Sequence, residues 1–275
     1  MSALPRELSP PLDELRACVV VPARNEEELV EACLTALAAQ AGVDQAGFEV
    51  ILVLDACSDR TEDRARAVGA RLPGLRLHLL DGPGRGSGPA RRVGMDVACE
   101  RLLALGRGEG LIACTDADSL VAPSWLRTQL VAVATGARAI GGRVEIRRDD
   151  AQRLGRRVLR RRAEQSAVRH RAVLAAEDGR SGSAEHWQFS GASMSLTAAV
   201  YAQIGGIEPC AALEDEALER SLVRHGIPIE RLSAVRVATS GRTEGRASRG
   251  LAHDLALAAR LEGAGLSRGG SCAAP

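Results

Sequence analysis

The residues best equipped for chemistry close the run Leu111-Ile112-Ala113-Cys114-Thr115-Asp116-Ala117-Asp118. Its apolar half reads as a buried strand that stops abruptly in two carboxylates spaced i, i+2. In extended backbone such side chains point to the same side. Asp116 and Asp118 are therefore expected to project together from the strand's carboxyl end, where open α/β sheets bind ligands. Two adjacent carboxylates repel each other unless a cation joins them, and hard divalent ions take oxygen ligands. Mg2+ or Mn2+ bridging a diphosphate is the chemistry such a pair would serve. The plainer alternative is an Asp-rich turn in which Asp118 or Ser119 caps the next helix.

Other groups carry weaker signals. The loop Gly84-Arg85-Gly86-Ser87-Gly88 lets backbone N–H groups approach a ligand closely, and the helix that follows favours anions at its N-terminus. Arg91, in the first turns of that helix, could offer a donor fork to phosphate or simply face solvent. Glu214, Asp215 and Glu216 open a later helix, where acids also serve as ordinary complements to the helix dipole. The stretch from Arg153 to Arg171 is rich in arginine, including Arg156, Arg157, Arg160, Arg161 and Arg162. It reads first as a solvated helix face. Few aromatics accompany it, which weakens both a nucleic-acid and an interfacial-helix role.

Composition sets the frame. The chain has 275 residues, 45% of them hydrophobic, enough for one large α/β domain or two small ones. Its net charge of +1 gives no global field toward nucleic acid or membrane. All 36 basic residues are arginine, so Schiff-base and P-loop lysine chemistry is excluded. The seven cysteines are scattered without a C-x-x-C pair, several inside apolar runs. A disulfide framework or zinc site is not expected, and a reducing cytoplasm fits. No signal-peptide core precedes Leu15, and no apolar stretch approaches the length of a membrane span.

The elements that must position these groups follow from apolar runs and breakers. Strands are predicted at 17–21, 48–54, 75–80 and 111–114, and helices at 26–39, 61–70 and 89–105. This alternating series implies a parallel, doubly wound sheet. Further on, the pattern predicts a helix from about 123 to 134 and a strand over 139–146. A helical stretch over 147–176, a strand over 189–196 and a helix over 213–225 come next. An extended segment over 227–237 closes the series, and the tail beyond Gly263 reads as flexible.

Taken jointly, the motifs resemble those of family 2 glycosyltransferases. Val19-Val20-Val21-Pro22-Ala23-Arg24-Asn25-Glu26 is similar to that family's opening strand and turn. Leu54-Asp55-Ala56-Cys57-Ser58-Asp59-Arg60-Thr61 resembles its D-D-G-S-x-D-x-T motif. Gly88-Pro89-Ala90-Arg91-Arg92-Val93-Gly94 resembles its G-x-x-x-A-R-N-x-G helix start. Asp116-Ala117-Asp118 falls at its D-x-D, and Gly205-Gly206 with Glu214-Asp215 at its later G-G and E-D motifs. The likeness runs from about Cys18 to about Thr243.

The resemblance implies a GT-A type α/β fold: a Rossmann-like, mostly parallel central sheet flanked by helices, as in nucleotide-diphospho-sugar transferases. It implies an N-terminal extension over 1–16 and a glycosyltransferase domain over 17–262. Within that domain, 17–122 would bind the donor and 123–262 the acceptor, with a tail over 263–275. The implied activity is hexosyltransferase-type transfer from a nucleoside diphosphate sugar to an acceptor hydroxyl, inverting and dependent on Mg2+ or Mn2+. Donor-binding residues carried over are Pro22, Ala23, Asn25, Glu26, Asp55, Gly88, Arg91 and Asp116. Asp118 with Asp116 would hold the metal, and Asp215 with Glu214 would supply the catalytic base. Gly191 and Ala192 would lie under the sugar and acceptor, and Trp187 would either stack on a sugar or belong to the core. Arg242 and Arg246 sit in a flexible loop expected to close over the diphosphate or a phosphorylated acceptor. The His that often completes the family's metal shell has no counterpart in Thr239-Ser240-Gly241-Arg242. The acceptor is expected to be a small molecule or lipid-linked, with peripheral membrane contact left open and no nucleic-acid partner.

Three rivals remain on the sequence alone, one of them a catalytically dead binding module, against which Asp116, Asp118 and Asp215 argue. A nucleotidyltransferase of similar sheet topology would carry a Gly- and Lys/Arg-rich first loop. A nicotinamide oxidoreductase would place its glycine fingerprint after the first strand, whereas here the glycines follow the third.

Overall fold

Strand β1 (Ala17–Ala23) is buried at every position, as is β2 (Phe48–Leu54). Their near-continuous apolar sequences are those of parallel strands covered on both faces. In the computed structural model, which describes residues 8–177, 184–208, 210, 213–245 and 250–266, β1 lies between β2 and β4 (Leu111–Cys114), parallel to both. Strand β3 (Leu77–Asp81) extends this parallel half beyond β2.

Alternate residues of these strands feed two cores, as the period of two demands. Cys18, Val20, Ile51, Val53 and Ile112 face α3 (Ser87–Ala104), α7 (Ala198–Gln203) and α8 (Glu214–Arg224). Val19, Val21, Val50, Leu52 and Ala113 face α1 (Val30–Ala38), α2 (Thr61–Arg71) and α4 (Trp125–Ala134). The result is a sheet covered by helices on both faces.

Beyond β4 the parallel pattern ends. Strand β7 (Met194–Thr197) pairs antiparallel with β4 and with β6 (Ala139–Ile146). Strand β8 (Glu230–Thr239) lies parallel to β6, and the short β5 (Ser119–Val121) closes the edge antiparallel to β8. The full order is β3-β2-β1-β4-β7-β6-β8-β5.

Three expectations are corrected. The helical stretch after β6 is two helices, α5 (Arg148–Leu154) and α6 (Arg156–Glu177), broken at Gly155, whose φ of 77° no helix accepts. The strand expected over 189–196 begins only at Met194. A final helix, α9 (Leu251–Leu266), runs past the expected boundary at 262 and packs against α6. The remainder of the tail, Arg246 and the stretch 179–183, which the sequence suggests as a polar loop, lie outside the described residues.

Candidate active site

The predicted donor-side motifs meet at the carboxyl ends of β1, β2 and β4. The turn after β1 clasps the turn after β2. Asn25 Oδ1 accepts from Ser58 N at 2.8 Å, Glu26 N donates to Thr61 Oγ1 at 2.7 Å, and Glu27 N donates to Asp59 Oδ2 at 3.0 Å. Pro22 and Ala23 end β1 beneath this clasp, with the Ala23 carbonyl accepting from Asp55 N. Asn25 and Ala56 hold positive φ angles of 53° and 55°, and Leu213, just before α8, holds 61°. These are the non-glycine residues so strained among those described, and all three border this edge. Such strain, ~1 kcal/mol or more each, concentrates at functional sites.

Asp55 is buried, and both its oxygens accept backbone amides of the glycine loop, Gly84 N at 2.6 Å and Gly86 N at 2.8 Å. The glycine-loop amides, expected to approach a ligand, and Asp55, expected to accept from a nucleobase or ribose, face each other instead. A nucleobase in this corner would share them. Gly88, in the first turn of α3, lies against the Cys210 carbonyl.

Asp116 and Asp118 do not project from a strand. Strand β4 ends at Cys114, and both residues occupy the turn into β5, closed by Ser119 N donating to the Asp116 carbonyl. No helix follows, so the capping alternative fails as well. The turn aims the two carboxylates at different partners. Asp116, 35% exposed, accepts from Arg91 Nη2 at 2.8 Å. Asp118 is buried, because Ser119 pairs with Thr239 across β5 and β8. That pairing sets Asp118 beside the loop after β8. Its Oδ1 meets the Ser119 and Thr239 hydroxyls, each at 3.3 Å, and its Oδ2 meets Arg242 Nη2 at 2.9 Å. Burial and the neighbouring Asp116 push the Asp118 carboxyl up to about 6, while Arg242 acts in the opposite direction.

Arg91 is fully buried and fully used. Its guanidinium donates to Asp116, to Glu214 Oε1 at 3.2 Å and to the Gly191 carbonyl at 3.1 Å. Burial opposes its charge, but Asp116 and Glu214 outweigh that and hold it protonated. The phosphate fork expected at this position is therefore a structural hub. A Cβ on Gly191 would stand 2.4 Å from Arg91 Nη2, so only glycine admits the guanidinium there. Glu214 is correspondingly turned inward and buried. Asp215 is left with its carboxylate toward Gly191, Oδ2 accepting from Gly191 N at 3.2 Å and Oδ1 from Glu216 N at 2.9 Å. Burial raises its pKa despite those two amides and Arg91. Ala192 closes this floor through its carbonyl, which accepts from Thr115 Oγ1 at 2.9 Å.

Arg242 is anchored rather than loose. Gly241 N donates to Asp150 Oδ2 at 2.9 Å, and a Cβ on Gly241 would fall 2.7 Å from Asp150 and 2.8 Å from Ile146. From that point the Arg242 side chain reaches both Glu26 oxygens, at 2.8 and 3.0 Å, as well as Asp118. Trp187 lies elsewhere: its Nε1 donates to Ser166 Oγ of α6, and Arg169 covers its ring at 4.6 Å. Thr239 and Arg147, whose Nη2 donates to the Asp118 carbonyl at 2.9 Å, were not foreseen. Only their pairing across β5, β6 and β8 reveals them. A cavity of about 450 Å3 lies at the opposite end of the sheet, between Arg16, Asp44 and Arg107, and holds none of the predicted residues.

Among the described residues, no three His, Cys, Asp or Glu side chains are grouped so as to hold an ion by themselves. Two carboxylate oxygens, Asp118 Oδ2 and one from Asp116, fit the different case of a hard cation that arrives with phosphate and water completing its shell.

Comparisons with known proteins identify the fold and the family. Mannosyltransferase PcManGT from Pyrobaculum calidifontis, solved with GDP-Man and Mn2+, superposes with a TM-score of 0.59 at 19% identity, over 98% of this chain and 80% of that one. S. aureus TarS in complex with UDP-GlcNAc gives 0.58 at 16% identity, over 90% and 66%. Glucosyl-3-phosphoglycerate synthase from Mycobacterium tuberculosis gives 0.53 at 21%, over 94% and 80%. These share the GT-A fold. Glycosyltransferase AglE of Haloferax volcanii is 27% identical over 128 residues, 46% of this chain and 38% of AglE, so the match spans under half of that relative. The sequence further matches the family described as "Glycosyltransferase like family 2" over residues 16–253, which takes in every motif of the cluster, and the chain belongs to that family.

Proposed function

We propose that the chain transfers a hexosyl group from a nucleoside diphosphate sugar to an acceptor hydroxyl, with inversion, and that Asp215 is the base. The observation that carries this is the Asp215 carboxylate itself. It is half-buried, held by two backbone amides and raised in pKa, one residue from the Glu214–Arg91–Asp116 chain. A carboxylate whose proton affinity is raised by burial and which is fixed in position suits proton removal from an attacking hydroxyl. The acceptor oxygen would attack the anomeric carbon as the diphosphate leaves from the opposite face, and Asp215 would take the hydroxyl proton.

The roles of the other residues follow from their contacts. Glu214 and Gly191 set Arg91, and Arg91 sets Asp116, so these position rather than react. Pro22, Ala23, Asn25, Glu26 and Asp55 border the corner in which the nucleoside would lie. Asp118, with Asp116, would hold Mg2+ or Mn2+. Such an ion, when bound, offsets charge developing on the leaving diphosphate. The solved relatives that carry GDP-Man with Mn2+ and UDP-GlcNAc support the donor class. Among the described residues no helix is long and apolar enough to cross a membrane, and six cysteines are free, which suits a cytoplasmic enzyme acting on a small or lipid-linked acceptor.

A panel of nucleotide sugars, scored by thermal stabilisation with and without Mn2+, tests the proposal. One donor should stabilise the protein in a Mn2+-dependent way, and Asp118→Asn should abolish that dependence. Stabilisation by nucleoside triphosphates with pyrophosphate release would overturn it in favour of nucleotidyl transfer.

A further inference from the structure

We propose that Arg242 is a tethered cation that competes with a divalent metal ion for Asp118, so that the ion enters only as a nucleoside diphosphate draws the guanidinium away. This rests on the assignment of Asp118 as the metal carboxylate. Asp118 has one oxygen to offer, since Oδ1 is turned to the Ser119 and Thr239 hydroxyls. Oδ2 is taken by Arg242 Nη2 at 2.9 Å. A cation seated ~2.1 Å from that oxygen would stand against the guanidinium, and the two positive charges so close together repel.

Three features make the contact releasable. The main chain at Gly241 is pinned to Asp150, so only the long Arg242 side chain need move. Glu26 accepts both Nη atoms, which gives the guanidinium a resting partner when it leaves Asp118. A diphosphate matches the same planar fork and would be a second destination. Arg91 is the contrast: among the described residues its guanidinium is held inside the fold by Asp116, Glu214 and the Gly191 carbonyl, which leaves it no such exchange. Arg242 thus acts at Asp118 as a removable cation. It keeps a bare ion out instead of helping to hold one.

The test is Mn2+ binding to the full chain without nucleotide, followed by water-proton relaxation at pH 7.5. Arg242→Gln should bind Mn2+ at least ~10-fold more tightly than wild type, the scale of removing one adjacent like charge. Arg242→Lys, which keeps the charge but loses the fork, should fall between and guards against a folding defect in the first variant. Arg147→Gln removes a guanidinium that touches only the Asp118 main-chain carbonyl, and should change affinity less than ~3-fold. Asp118→Asn in the Arg242→Gln background should erase the gain. Equal affinity in wild type and Arg242→Gln, or an equal gain in Arg147→Gln, would refute the competition. If donor binding to wild type needs Mn2+ while Arg242→Gln gains nothing, the competition alone fails. If no variant binds Mn2+ and donor binding ignores it, the metal assignment fails with it.

Discussion

The two ends of the sheet both bury carboxylates against guanidinia, with opposite electrostatic outcomes. At the amino ends of β1, β2 and β3, Glu49 is wholly buried. It accepts from Arg101 Nε and, at 2.8 Å, from Arg101 Nη2, and it meets His78 Nε2 at 3.1 Å. Burial works against its charge, but Arg101 and His78 hold its carboxyl down to about 2. At the carboxyl ends, Glu26, Asp116, Asp118 and Glu214 share the guanidinia of Arg91 and Arg242, and Asp215 beside them is held by backbone amides. There the balance tips the other way, and Asp118 and Asp215 are both pushed up. The first cluster has a partner for every charge and belongs to the fold. The second is left with an excess of negative charge, which is unfavourable for the fold alone and useful to a cation or a proton. Burial together with a surplus of one sign of charge distinguishes the end proposed to bind substrate.

Three substitutions can break or sharpen that contrast. The largest effect is expected for Asp215→Asn, which should lower turnover by ~10²–10⁴ while nucleotide affinity stays within about threefold. Steady-state rates with a donor found by the panel read it directly, and wild-type turnover would move the base elsewhere. In the unsubstituted enzyme, turnover should fall on the acid side with a midpoint above the ordinary Asp value, because the base must be ionised to act. Arg101→Ala is the mirror case. It leaves Glu49 buried without its fork and should cost ~3–5 kcal/mol, roughly 10 °C in Tm, with donor affinity unaltered. Chemical denaturation checks the first figure, and a loss of donor binding with stability intact would dissolve the distinction between the two ends.

The smallest effect carries the sign that separates them. Asp118 has its pKa raised to about 6, so the folded state disfavours its ionised form once pH passes that value. Asp118→Asn should therefore match or exceed wild type in Tm at pH 8, by up to roughly 5 °C, with the gap closing as pH falls below about 6. Glu49 runs the other way: its contribution is present above the ordinary Glu value and fades only as pH approaches about 2. A clear drop in Tm for Asp118→Asn at pH 8 would place both clusters in the same class.

Much of this was legible in the chain. The bounds expected for β2, β4 and β6 coincide with those found, because each is an apolar run cut off by polar residues. The order of motifs along the chain brought together residues that meet at the carboxyl ends of β1, β2 and β4. Strand β5 escaped notice because three residues carry no pattern, and its absence hid the geometry of Asp118, which depends on the Ser119–Thr239 pairing. Helix position alone could not tell whether Arg91 faced solvent, phosphate or the interior. The Glu26–Arg242 pair joins residues 216 apart in sequence, and nothing in either segment names the other. Local pattern reveals which residues are present at a sheet end, whereas partner choice among charges is a tertiary property.

Arg91 touches Asp116 in the first half of the chain and Gly191 and Glu214 in the second. One side chain thus keys two stretches of sequence that might otherwise have diverged separately. A chimera that grafts a foreign second half onto this first half must therefore bring a glycine and a glutamate to those two positions. Otherwise the turn that carries Asp116 is left without its support, however well the new half folds.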